Sequence, residues 1–186
     1  MPSNADPALG PVLGTTARAD EFATAAARVR GGYDSTAAAV VDTLGAVLSA
    51  DDPLPLLLHA DAYSRWAARR FAARCTETSR RLRPSDSVGM ETSELVRKFA
   101  IASGWRGPCY LLGGVSARRF LRIARRFAAR GPVVLCDVLP LDPDALDDPG
   151  CAVTAVLLGG PEPLRVTGRQ RVPLLRALAE ERGPRS

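Results

Sequence analysis

The chain has 186 residues, 46% of them hydrophobic, and a net charge of +5. That length fits one domain with enough interior for a real core. No apolar run approaches the ~20 residues of a membrane span, and no basic segment followed by an apolar one opens the chain, which points to the cytosol.

Cys75, Cys109, Cys136 and Cys151 are scattered, and His59 is the single histidine. They make neither a zinc pattern nor a disulfide framework. Reduced, mostly buried thiols are expected, with no metal and no cofactor. Lys98 is the one lysine, so nearly all the positive charge is arginine. Such a charge suits an acidic partner, yet it also follows from an arginine-rich codon usage and decides nothing alone.

Residues 1–16 carry Pro, Gly, Ser and Asn without periodicity and read as a flexible lead-in to a single domain over 17–186. From Ala17, the spacing of Phe22, Ala25, Ala26 and Val29 predicts a helix, broken by Gly31-Gly32. Ser35 is placed to cap a second helix with Ala39, Val40, Leu44, Val47 and Leu48 as its apolar stripe. Asp51, Asp52 and Pro53 end it. Leu54 to Leu58 is a short apolar run of the kind that forms a strand covered on both faces. No strand is legible before it.

Tyr63, Ala67, Phe71 and Cys75, with Trp66 beside them, predict the next helix. Arg65, Arg69 and Arg70 fall on what reads as its solvated side. Arg80 to Met90 reads as a loop. A helix from Thr92 buries Leu95, Val96 and Phe99 and stops at Gly104. Cys109 to Leu112 is a strand ending at Gly113-Gly114. Ser116 caps a helix whose apolar positions are Ala117, Phe120, Leu121, Ala124, Phe127 and Ala128, closed by Gly131. Pro132 to Cys136 follows as a buried strand, giving a βαβ unit with parallel strands. After the acidic loop Asp142 to Asp148, Ala152 to Leu158 forms another strand. Val172 to Glu181 predicts a terminal helix. Alternating strands and helices give an α/β fold around a mostly parallel sheet.

With one histidine, few catalytic arrangements exist. His59 ends a buried strand two residues before Asp61, so a strand-end site is conceivable, although a structural role is the commoner fate of such a residue. Cys109 reads as a small core residue. Gly113-Gly114 ahead of a capped helix suits an anion, but neither the Walker nor the dinucleotide spacing is complete. The acidic run lacks the glycine and closing glutamate of a calcium loop. The helix after Ser116 displays arginines without interleaved aromatic or amide groups, which favours protein contact or solvation over nucleic acid.

The stretch Leu82 to Cys109, with its loop, its helix and the turn Gly104-Trp105-Arg106-Gly107-Pro108, resembles a stretch of β-ketoacyl synthases. There a loop and helix lead to a G-x-x-G-P turn and the strand before the nucleophile. Leu56 to Arg69, Pro132 to Leu139 and Ala152 to Gly160 resemble the flanking strands and helices, so the likeness covers roughly residues 54–160, in pattern more than identity. It implies an α/β sheet flanked by helices, one half of a thiolase-like fold. Chain-length-factor-like partners of ketosynthases are the nearest match within it.

The departures from the family shape the functional expectation. Val115 falls within one residue of the position at which active synthases carry their cysteine, and valine forms no thioester. The family's two catalytic histidines belong to a C-terminal half that this sequence mostly lacks, so no catalytic residue carries over. The resemblance implies that Cys109, Tyr110, Leu111 and Leu112 pair across a dimer axis with a ketosynthase or a second copy, and that the Pro84 to Glu91 loop, with Ser87 and Met90, approaches the partner's acyl tunnel. Arg118, Arg119 and Arg122 are candidates for contact with an acidic acyl carrier protein. The expected role is a non-catalytic subunit that stabilises the synthase and shapes its tunnel. The alternatives are a stand-alone homodimer that binds a small ligand or regulates, and a minimal enzyme using His59 and Asp61.

Overall fold

Apolar runs bounded by turn residues set the frame. Leu56–His59, Val133–Pro140 and Gly150–Leu158 are strands buried almost throughout, as expected where helices cover both faces of a sheet. The computed structural model describes residues 24–77, 81–83, 85–146 and 150–159. In them the elements run β1 (Thr24–Arg30), α1 (Tyr33–Gly45), β2 (Leu56–His59), α2 (Asp61–Thr76), α3 (Ser85–Val88), α4 (Thr92–Ser103), β3 (Cys109–Leu111), α5 (Ala117–Ala128), β4 (Val133–Pro140) and β5 (Gly150–Leu158). The lead-in over 1–16 and the terminal helix over 172–181 lie outside the described residues.

The five strands form one sheet in the order β1-β5-β4-β2-β3. β4, β2 and β3 are mutually parallel, whereas β5 runs antiparallel to both β4 and β1. The sheet is therefore mixed, not mostly parallel. The reason lies in the connection between Pro140 and Gly150, too short for the dozen or more residues a parallel crossover requires.

A second correction concerns the first element. Residues 24–30 form a strand where alanine-rich spacing predicts a helix, because they pair along their whole length with β5, from Thr24 opposite Val156 to Arg30 opposite Gly150. Ala27 is buried while Arg28 and Arg30 are exposed, a period of two that the surrounding alanines obscure. Tertiary pairing overrides local propensity here.

α1 begins at Tyr33, ahead of the expected Ser35, with Gly32 at the cap position and no side chain capping it. Gly31 makes the turn into it with φ +120°, a conformation glycine adopts readily. α4 ends at Gly104 with φ +75°, a left-handed stop of the expected kind. Ser116 caps α5, its hydroxyl accepting from the Arg119 N–H at 3.4 Å.

The sheet separates two apolar cores. α1, α2 and α4 pack on one face, burying Val40, Leu44, Tyr63, Trp66, Leu95 and Phe99 against Leu56, Leu58, Val134 and Val153. On the other face α5 buries Phe120, Leu121 and Ala124 against Leu57, Leu135 and Val156. The α2 stripe leaves the core after Ala67: Phe71 is half-buried and Cys75 exposed. Nor is its arginine side uniformly solvated. Arg69 donates to the Pro143 carbonyl at 2.6 Å, and Trp66 Nε1 donates to the Ala145 carbonyl at 3.2 Å, so α2 ties down the start of the acidic loop. The expected loop over 80–90 contains the single turn α3.

Candidate functional site

β2 and β3 are parallel neighbours whose chains leave in opposite directions. β2 feeds α2 on one face and β3 feeds α5 on the other. Strand order of this kind opens a crevice beyond the carboxyl ends of the two strands, the usual place for a site in an open α/β sheet. A cavity of about 130 Å³ lies there, lined by Leu58, Ala60, Asp61, Ser64, Thr92 and Leu111 among others. It has room for a small polar group or waters and is well below the ~300 Å³ of a drug-sized pocket.

Asp61, at the first turn of α2, shapes one wall. Its Oδ1 accepts from the Gly114 N–H at 3.1 Å and its Oδ2 pairs with Arg65 at 2.8 Å. The carboxylate thus occupies one of the backbone donors that Gly113-Gly114 offered for an anion. Asp61 does not pair with His59.

His59 bonds elsewhere. It stands opposite Asp137 in the β2/β4 register, and its Nδ1 meets Asp137 Oδ1 at 2.9 Å. Its Nε2 meets the Val115 carbonyl at 2.9 Å, and its ring stacks on Phe120 with centroids 5.0 Å apart. Both nitrogens therefore face acceptors. A neutral imidazole can donate only one hydrogen bond, whereas an imidazolium donates both. Burial pulls the His59 pKa down, but the hydrogen bond and charge of Asp137, the Val115 carbonyl and the charge of Asp61 outweigh it and leave the pKa raised. The pair is buried, with side-chain exposures of 10% and 1%.

Asp137 Oδ2 is buried without a hydrogen-bond partner among the described residues, and so is the hydroxyl of Thr154 on the neighbouring position of β5. His59, Asp137 and Thr154 form a polar row across three strands beneath α5. Chemically this row holds a proton and fixes the bend between β3 and α5 through the Val115 carbonyl. Val115 is half-buried and packs against the α5 core.

Asp137 is the residue missed in the sequence. Its signal was a lone acid inside the otherwise apolar strand Val133 to Pro140, which must find a partner, and the one histidine ends the strand beside it.

The remaining candidates are spread over the molecule. Cys109, Tyr110 and Leu111 are all exposed on β3, which is an edge strand. Cys109 is therefore not a core residue, and the free thiols divide evenly: Cys75 and Cys109 exposed, Cys136 and Cys151 buried. Leu112 packs in the α5 core. Ser87 lies in α3, and Met90 lines a separate cavity at the start of α1. Arg118, Arg119 and Arg122 are exposed along α5 together with Arg125 and Arg126, and Arg130 is exposed in the turn after it.

Among the described residues, no cluster of His, Cys, Asp or Glu could hold a metal ion, and no helix is long and apolar enough to cross a membrane. Compared with known proteins, the chain matches no family model and no curated protein.

Proposed function

We propose that the chain is a non-catalytic, chain-length-factor-like partner subunit that docks on a ketosynthase of polyketide or fatty-acid-type biosynthesis, stabilises it and shapes its acyl tunnel. The edge at β3, open among the described residues, carries the reading. The Leu56 N–H bonds the Pro108 carbonyl and the Leu112 N–H bonds the Leu58 carbonyl, which turns residues 108 and 112 inward to β2. By strand alternation Cys109 and Leu111 then turn their backbone groups outward. Tyr110 and Leu111, 43% and 48% exposed, add apolar surface to that edge. An edge strand with unpaired donors and acceptors and large exposed side chains is a template for pairing with another chain.

Two further observations support the reading. Val115 lies in the bend between β3 and α5, which the resemblance puts within one residue of the synthases' nucleophile, and what it presents to His59 is a backbone carbonyl. The exposed arginines of α5 suit contact with an acidic carrier protein. A second reading, a stand-alone homodimer that binds a small ligand, draws on the larger cavity beside α1.

The test is Leu111→Asp. A charge on the pairing edge should abolish the heterodimer in size-exclusion chromatography while the variant alone keeps its helical circular dichroism. A complex that survives the substitution would count against β3 as the interface.

A further inference from the structure

The residues of β3 alternate between two faces of the sheet, and the two faces differ in what lies beside the edge. Tyr110 stands opposite Leu57, which belongs to the α5 core, so Tyr110 projects on the α5 face. Cys109 and Leu111 stand opposite Leu56 and Leu58, which belong to the other core. On that second face the edge is apolar: Leu111 is 48% exposed and shares a small cavity with Leu58 and Ala60.

On the α5 face the neighbour is basic. The Tyr110 ring meets that of Phe127 with centroids 5.1 Å apart, so one flank of α5 borders the edge. Ile123, one turn before Phe127, is half-buried on the same flank. At helical spacings of three and four from these two come Arg119, Arg126 and Arg130, all exposed. α5 itself contains no acid. Among the described residues, no ion pair engages these three guanidinium groups.

A second copy of the chain fits this edge poorly. Two β3 edges joined antiparallel about a two-fold axis make one continuous sheet with both α5 helices on the same face. The two basic flanks would then approach each other, and like charges brought together weaken an interface. A strand with carboxylates on that face meets the same flank with attraction.

We infer, resting on β3 as the docking edge, that the edge receives an extended segment of a partner protein in which every second residue is acidic. The acids lie beside Tyr110 and the α5 arginines, and the residues between them lie beside Cys109 and Leu111. Nothing in this assignment requires the partner to be a ketosynthase.

The probe is a capped octapeptide alternating threonine and glutamate, with glutamine in place of glutamate as its neutral control. Amide hydrogen exchange of the whole protein, followed by NMR, reads strand addition directly. The glutamate peptide should slow exchange saturably at the outward-facing Cys109 and Leu111, with a Kd below about 1 mM. Leu112, whose N–H already bonds the Leu58 carbonyl, should not change. The glutamine peptide should bind about tenfold more weakly, since two or three exposed ion pairs contribute a few-fold each. Arg126→Glu combined with Arg130→Glu, both at exposed positions, should erase that difference. Equal binding of the two peptides to the unaltered protein would overturn the acidic assignment and leave β3 as an interface. No slowing by either peptide at about 10 mM, well beyond a millimolar affinity, would overturn the added strand. So would a dimer of the chain alone that already protects Cys109 and Leu111, and slowing by an oligothymidylate in place of the peptide would point to nucleic acid and overturn it too. Failure of the ketosynthase reading is distinct: it shows as a chain that binds the glutamate peptide and recovers no synthase.

Discussion

His59 and Asp137 face each other from adjacent parallel strands, Nδ1 to Oδ1 at 2.9 Å, and the far nitrogen of the same ring reaches the Val115 carbonyl at 2.9 Å. One imidazole thus ties together the end of β2, the middle of β4 and the bend that leads into α5. Removing either charged partner leaves the other buried without its counter-charge. His59→Ala should therefore destabilise the fold by about 3–5 kcal/mol, read as a lower urea midpoint near neutral pH. A loss within the scatter of surface substitutions would mean that the pair contributes no net stability.

The same bonds set a pH dependence. The His59 pKa is raised in the folded state, above its ordinary ~6.5. The imidazolium's contribution to stability is then fully present below about pH 6.5 and fades as the pH rises through the folded value. With one histidine in the chain, its ring protons give a single NMR titration curve. That curve should lie above ~6.5 in the native protein and move down in Asp137→Asn, where desolvation loses its main opponent. An unchanged midpoint in the variant would contradict the assignment.

Gly107 has a steric role that its place in a Gly-x-x-Gly-Pro turn only hints at. A Cβ there would stand 2.5 Å from the Trp105 ring and 2.6 Å from the Leu54 carbonyl oxygen. Gly107→Ala must displace the buried Trp105 or the backbone leading into β2. A cost of about 1–3 kcal/mol is expected from overpacking. Gly104→Ala, with φ +75° but open space around it, should cost about 1 kcal/mol from the left-handed backbone alone. Paired thermal melts separate the two.

Thiol labelling reads the β3 edge. Cys109 and Cys75 are exposed, whereas Cys136 and Cys151 are buried. Under native conditions a maleimide should modify the first two and spare the others. Desolvation pushes the Cys109 thiol up to about 11, so it should react slowly at neutral pH and faster as the pH rises. Docking of a partner along β3 should protect Cys109 and leave Cys75 reactive. Equal labelling of Cys109 with and without the partner would place the interface elsewhere.

Much of the interior was legible because apolar runs and helical stripes report burial directly. Phe120, Leu121 and Ala124 of α5, and Leu95, Val96 and Phe99 of α4, are buried as their spacing requires. What escaped depends on pairing between distant segments. β1 reads as a helix because alanine suits one, and only its register with β5 makes it a strand. The antiparallel return of β5 rests on the length of a loop. The site behaved likewise: His59 was visible as a lone histidine at a strand end, but its partner is Asp137, set by strand order 78 residues away, and not the nearby Asp61.

Co-expression with a ketosynthase, and purification through a tag on this chain alone, tests the central proposal most directly. The account predicts a stoichiometric complex, with the synthase losing solubility or activity when this chain is left out. A soluble chain that recovers no synthase would contradict it and leave the stand-alone homodimer as the better reading.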